Sequence, residues 1–110
     1  MSEQPPSSIR EAMERLPRVF QPERAQGANA VLQFNFSGNE PGTWTVKVVN
    51  GECSVSEGPA DNPAVTVNAP SEVWLKIVRG ELDGATAFMT GQFTFIGDMG
   101  TLVQMQNWFA

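Results

Sequence analysis

The segment Ala30-Val31-Leu32-Gln33-Phe34-Asn35-Phe36 decides the fold class. Ala30, Leu32, Phe34 and Phe36 alternate with Val31, Gln33 and Asn35, and this period of two predicts a half-buried strand. Downstream, Ser37 to Gly42 has loop composition, and Trp44, Val46 and Val48 then alternate with Thr43, Thr45 and Lys47 in a second strand. Asn50-Gly51 is the favoured pair for a tight type I′ hairpin turn, with Cys53 and Val55 on the return strand. After a loop from Gly58 to Pro63, Val65 and Val67 alternate with Thr66 and Asn68. These four strands read as an antiparallel meander with one dry face.

Helical signals flank this sheet. Upstream, Ser8-Ile9-Arg10-Glu11 has the form of a capping box in which Ser8 caps and Glu11 reaches back. Ile9, Ala12, Met13 and Leu16 follow at helical spacing, and Pro17 is expected to stop or redirect that helix. Val19 and Phe20 are expected to tuck inward before a short turn at Pro22-Glu23-Arg24-Ala25. Downstream, Ser71 caps a helix running to Arg79 and ending at Gly80, with Glu72 suited to its positive terminus. Asp83 starts a short helix that Gly91 closes, Phe93 and Phe95 mark a fifth strand, and Asp98 caps a last helix from Met99 to about Phe109. The expected architecture is α+β in one domain spanning residues 1–110, with Met1 to Pro6 as a loose terminus.

Composition narrows the chemistry. With 41% of its 110 residues hydrophobic, including three Trp, seven Phe and five Met, the chain can bury a core and is not disordered as a whole. No apolar run is long enough to span a bilayer, and no signal-peptide pattern opens the chain, so the expected location is intracellular. With no His, no Tyr and a single cysteine, Cys53, the chain cannot supply a Ser-His-Asp triad, a Cys-His pair, a His-ligated or multi-cysteine metal site, or an internal disulfide. No cofactor is expected. In a strand, with no Lys or Arg beside it in sequence, Cys53 reads as a small core residue.

The net charge of −5 is unevenly placed. Up to Arg24, Glu3, Glu11, Glu14 and Glu23 balance Arg10, Arg15, Arg18 and Arg24; beyond it, Lys47, Lys76 and Arg79 face eight acids. Such a surface repels phosphate backbones, which argues against nucleic acid and leaves at most weak association with anionic membranes.

The last helix exceeds what a core needs. Met99, Leu102, Val103, Met105, Trp108 and Phe109 spread over more than half its circumference, and no charged side chain follows Asp98. The helix from Ser71 to Arg79 has a similar excess, with Val73, Trp74, Leu75, Ile77 and Val78 against a polar edge of Glu72, Lys76 and Arg79. One side of each helix meets the sheet. The other meets an apolar ligand or a second protein surface, or it remains as ordinary exposed apolar area. Met89, Met99 and Met105 favour a ligand, because flexible thioethers accommodate varied shapes.

The order of motifs then carries a resemblance. Phe34-Asn35-Phe36-Ser37-Gly38, Gly42-Thr43-Trp44, Val49-Asn50-Gly51 and Gly80-Glu81-Leu82 are followed by Ala87-Phe88-Met89-Thr90-Gly91-Gln92-Phe93 and Gly97-Asp98-Met99-Gly100. The chain resembles the sterol carrier protein type 2 family of intracellular lipid-binding domains from about Ile9 to Trp108, most specifically from Ala87 to Gly100. That resemblance implies a five-stranded, mostly antiparallel sheet covered on one face by helices, with an apolar tunnel between them. The tunnel would take a fatty acid, fatty acyl-CoA, phospholipid or sterol. By position, the implied lining is Phe34, Phe36, Trp44, Trp74, Phe88, Met89, Leu102 and Met105, and Gln106 falls where the family's last helix carries a Gln beside the tunnel. The expected function is non-catalytic lipid binding or transfer. The rivals are an interaction module whose apolar helices pack on a second subunit or partner protein, and an enzyme acting on an acyl thioester through Glu or Asp. Two departures bear on delivery. The chain is acidic where well-known lipid-transfer members are basic, and the absence of a Ser-Lys-Leu-type ending points to the cytoplasm rather than the peroxisome.

Two local matches resolve simply. Gly97-Asp98-Met99-Gly100 lacks the spacing and Lys of a phosphate-binding loop and reads as a strand exit and helix cap. Asn35-Phe36-Ser37 matches a glycosylation acceptor but lies within a strand.

Overall fold

The computed structural model describes residues 6–109, with Gln106 described by its backbone alone. Helix α1 (Ile9–Val19) and a 3₁₀ turn (Pro22–Arg24) precede β1 (Asn29–Ser37), β2 (Gly42–Val49), β3 (Glu52–Glu57) and β4 (Val65–Pro70). Helices α2 (Ser71–Val78) and α3 (Gly84–Met89), strand β5 (Thr94–Gly97) and helix α4 (Met99–Trp108) complete the chain. The sheet is five-stranded and mostly antiparallel, in the order β3-β2-β1-β4-β5.

The alternation in β1 is real: Ala30, Leu32, Phe34 and Phe36 are buried on the helix-covered face. Opposite them in register stand Val48, Val46, Trp44 and Gly42 of β2. Asn50 and Gly51 adopt φ of 54° and 77°, the pair of positive angles that a type I′ turn requires. Val65 and Val67 of β4 complete the dry face beside Leu32 and Phe34.

The expected four-strand meander is not what forms. Strand β4 does not pair with β3; it lies on the other side of β1 and runs parallel to it, with Leu32 opposite Val65 and Phe34 opposite Val67. The segment from Gly58 to Ala64 is longer than a usual hairpin loop and returns across the sheet to reach that position. Polar side chains hold it there: Thr45 Oγ1 donates to the Gly58 carbonyl at 2.8 Å, and the Ala60 N–H donates to Gln33 Oε1 at 2.9 Å. Thr45 and Gln33 stand opposite each other in register, so residues that read as a solvated face are the anchors of the crossover.

Helix caps follow sequence more closely than helix lengths do. Ser8 Oγ accepts from the Glu11 N–H at 3.1 Å, but Glu11 does not reach back; its carboxylate accepts from Ser7 Oγ at 3.2 Å and pairs with Arg15. The donors of Ile9 and Arg10 go instead to the carboxylate of Glu40, at 2.9 and 3.2 Å. Pro17 lies inside α1, which continues to Val19, because only the hydrogen bond of its own missing N–H is lost so near the helix end. Ser71 is the first residue of α2 rather than its cap, and its hydroxyl accepts from the Glu40 N–H at 3.0 Å. Asp83 and Asp98 cap as expected, accepting from Thr86 N–H at 3.0 Å and Thr101 N–H at 2.9 Å. Bonds from Thr101 hold the Asp98 carboxyl below its ordinary range. The Glu72 carboxyl is likewise lowered, by its own backbone N–H, the Asn39 N–H and Ser71.

Gly97 fixes the junction between β5 and α4. Its φ is +120°, and a Cβ there would lie 2.2 Å from the Ala64 carbonyl oxygen, which accepts from the Asp98 N–H. Gly97→Ala is expected to destabilise the domain by about 2–4 kcal/mol, through strain added to a backbone clash. At Gly27, where φ is +77° and nothing lies within 4 Å, the same change is expected to cost about 1 kcal/mol. Urea denaturation of the two variants beside the parent checks this ranking.

Candidate functional site

Two helices, α1 and α2, pack over the sheet. The loop between β1 and β2 is tied to the N-termini of both. Glu40 receives the first-turn donors of α1, while its own N–H is bonded to Ser71 of α2, and Glu72 accepts from the Asn39 N–H at 3.3 Å. Away from this fastening, the later turns of both helices border a cavity of about 660 Å³ above the sheet.

The floor of the cavity is Phe34 and Val46 on the covered face of the sheet. Ala12, Met13, Leu16 and Val19 of α1 form one wall, and Trp74, Ile77 and Val78 of α2 another. Phe93, Leu102, Met105 and Phe109 close the remaining side. Burial grades along the lining, from Met13, Phe34 and Val46 at 1% exposure to the exposed residues Val78, Arg79, Asp83 and Ala85. The mouth therefore lies where α2 ends and α3 begins.

Of the charged groups of the lining, Arg79 and Asp83 sit at this outer level, whereas the Arg15 side chain is only 19% exposed and its Nε is buried. Arg15 pairs with Glu11 along α1, Arg79 Nε lies 3.0 Å from Glu81, and the Asp83 carboxylate accepts from both the N–H and the hydroxyl of Thr86. An apolar interior with a few polar groups at the rim is the usual form of a small-molecule pocket. Cys53 lies outside this lining, and burial pushes its thiol up to about 11. Among the described residues, no cluster of three potential metal-ligating side chains occurs, and no helix is long and apolar enough to cross a membrane.

Of the residues the resemblance nominated, Phe34, Trp74, Leu102 and Met105 come together in the lining. Phe36, Trp44, Phe88 and Met89 do not line it. Phe36 stands behind the wall, with its ring 6.0 Å from Phe34 and 6.2 Å from Trp74. Phe88 backs onto Phe93 and Phe95, at 5.7 and 5.2 Å. Trp44 is buried beneath Arg10, whose guanidinium lies 5.2 Å from the ring centroid and is held by Glu57 at 2.8 Å. Met89 is 83% exposed. The backbone of Gln106 belongs to α4, and its side chain lies outside the described residues.

Sequence reasoning passed over the α1 wall, Phe93 and the rim. Met13 and Leu16 carry the same apolar stripe that packs α1 onto the sheet, so periodicity does not separate wall from core. Pro6, read as part of a loose terminus, is buried and lines the cavity; residues 1–5 lie outside the described residues.

An open-edged α+β sheet roofed by helices, with an apolar cavity between the layers, defines a small-molecule-binding domain. Comparison with known proteins makes the class specific. Residues 11–110 match the SCP-2 sterol transfer family, and the chain belongs to that family. Hydroxysteroid dehydrogenase-like protein 2 of Danio rerio is 30% identical over 93 residues, which are 84% of this chain and 22% of the relative. The Xenopus tropicalis protein of the same name is 27% identical, over 92% of this chain and 24% of its own length. The chain thus spans under a quarter of the curated relatives it matches.

Among solved structures, the palmitated SCP2L2 of Aedes aegypti superposes with a TM-score of 0.77 at 24% identity, covering 91% of this chain and 92% of that one. A double mutant of the sec-alkyl sulfatase PisA1 gives 0.84 at 19% identity, over 93% of this chain and 16% of the sulfatase. At these identities the superpositions show the shared fold. Family membership supports lipid binding or transfer.

Leu102→Asp and Met105→Arg would bring a charge into the cavity wall, and each is expected to lower uptake of a fluorescent fatty acid at least about tenfold. Met99→Gln, on the exposed side of the same helix, is expected to leave uptake unchanged. Circular dichroism of each variant establishes that the comparison is between folded proteins.

Proposed function

We propose that this domain binds a lipid-like ligand in the cavity between sheet and helices, and holds or transfers it without chemical change. The observation that carries the reading is the roughly 660 Å³ cavity above the sheet, lined mostly by apolar side chains. Phe34, Trp74, Leu102 and Met105 form its inner contact surface, together with Met13 and Phe93. Each alkyl CH₂ moved from water into such a space contributes about 0.8 kcal/mol, so a fatty acid, fatty acyl chain, phospholipid chain or sterol-like body is held without a specific polar contact. A polar head group remains at the mouth near Arg79 and Asp83. The palmitate named for the mosquito structure of the same fold supports an acyl ligand for this chain as well.

A binding role is favoured over acyl chemistry by the placement of Asp83, the acid among the described lining residues. Asp83 is exposed at the rim and its carboxylate holds the first turn of α3 through Thr86, whereas a catalytic carboxylate would be directed into the pocket. The cytoplasm remains the expected compartment.

Native mass spectrometry of freshly purified protein, followed by organic extraction, tests the proposal. The expected result is an added mass that extracts as intact fatty acid or another lipid. A protein that carries no added mass and also fails to take up a fluorescent fatty acid would overturn it.

A further inference from the structure

We infer that the cavity reduces a bound lipid hydroperoxide to the corresponding alcohol, with the thioether of Met13 or Met105 as the oxygen acceptor. The inference rests on the lipid-binding reading and concerns only a ligand that is already peroxidised; an intact lipid passes unchanged. Met13 of α1 and Met105 of α4 both line the cavity and are 1% and 8% exposed. Among the described lining residues, no side chain carries a hydroxyl, a thiol or an amine, and the Asp83 carboxylate is engaged by Thr86 at the rim. Cys53 lies outside the lining, and burial pushes its thiol up to about 11, so little thiolate competes for an oxidant. The two thioethers are therefore the soft nucleophiles that a bound lipid meets. Their chemistry is oxygen transfer, not hydrolysis or acyl transfer.

An unsaturated acyl chain is peroxidised along the chain rather than at its head group. The –OOH group therefore enters the cavity with the chain while the head group stays at the mouth. Sulfur attacks the terminal peroxide oxygen with its lone pair, and the O–O bond breaks. The proton of that terminal oxygen moves to the departing alkoxide oxygen. The products are one methionine sulfoxide and one lipid alcohol, and no further reductant is consumed. Unbranched, flexible side chains let either sulfur reach peroxides at different positions along a chain. Confinement in one cavity raises the effective concentration of the reacting groups far above that in water. The sulfoxide is a polar group in an apolar wall and disfavours the next ligand, so each methionine acts once until a sulfoxide reductase restores it.

The test exposes the protein to the hydroperoxide of linoleic acid or to hydrogen peroxide at equal concentration, followed by peptide mapping and organic extraction of the bound lipid. Met89 and Met99, 83% and 53% exposed and outside the lining, report attack from water. With the lipid hydroperoxide, sulfoxide is expected at Met13 or Met105 at least about tenfold faster than at Met89 and Met99. One hydroxy acid is expected per lining sulfoxide, and excess oleic acid is expected to suppress both. With hydrogen peroxide the order of oxidation is expected to reverse, following exposure. Counted per lipid bound, reduction is expected to fall at least about tenfold in the double variant Met13→Leu/Met105→Leu, and to stay at the parent level in Met89→Leu/Met99→Leu. Bound hydroperoxide extracted unreduced from the parent, the same order of oxidation with both reagents, or undiminished reduction in Met13→Leu/Met105→Leu would each overturn the inference and leave the lipid-binding reading in place. A protein that takes up neither the hydroperoxide nor the unoxidised fatty acid would overturn both.

Discussion

The fastening of two helix N-termini by one loop governs the rest of the structure. Glu40 occupies the first turn of α1 with its carboxylate and the first residue of α2 with its backbone N–H, while Glu72 holds Asn39 from the other side. Gly38 is part of the same constraint, since a Cβ there would lie 2.6 Å from the Glu72 carboxylate. The later turns of both helices border the cavity, whose mouth lies beside Arg79, Asp83 and Ala85.

The materials of the wall explain why this space does not collapse. Phe34, Trp74 and Phe93 form a continuous aromatic face, with ring centroids 5.2 and 5.9 Å apart and the last pair nearly perpendicular. Phe36 and Phe88 buttress that face from behind. At the far side, Phe20 bridges to Phe109 and the Gln21 N–H donates to the Trp108 carbonyl at 2.6 Å, which ties the end of α4 to the chain near the 3₁₀ turn. Rigid rings and tied ends hold the walls apart, while Met13 and Met105 supply the flexible part of the lining.

What the sequence discloses is local. The alternation from Ala30 to Phe36, the Asn50-Gly51 turn and the Asp83 and Asp98 caps each depend on residues within one turn or strand, and each forms as read. The path of β4 depends on a partner about thirty residues away. Its anchors, Gln33 and Thr45, look like any polar alternation until the Gly58–Ala64 crossover is seen on them. The same limit applies to the site. Leu102 and Met105 are legible because α4 has more apolar surface than a core consumes, whereas Met13 is hidden in a stripe of ordinary width. Trp44 and Met89 show that residue type alone does not separate lining from elsewhere: an arginine covers one, and the other faces out.

The central claim is that ligand lies between the helices and the sheet. Photo-crosslinking with a diazirine-bearing fatty acid, followed by peptide mapping of the labelled protein, addresses it most directly. The account predicts label on Met13, Trp74, Leu102 or Met105, with competition by unlabelled fatty acid. Label confined to Ile96 and the uncovered face of the sheet, or spread without competition, would contradict it.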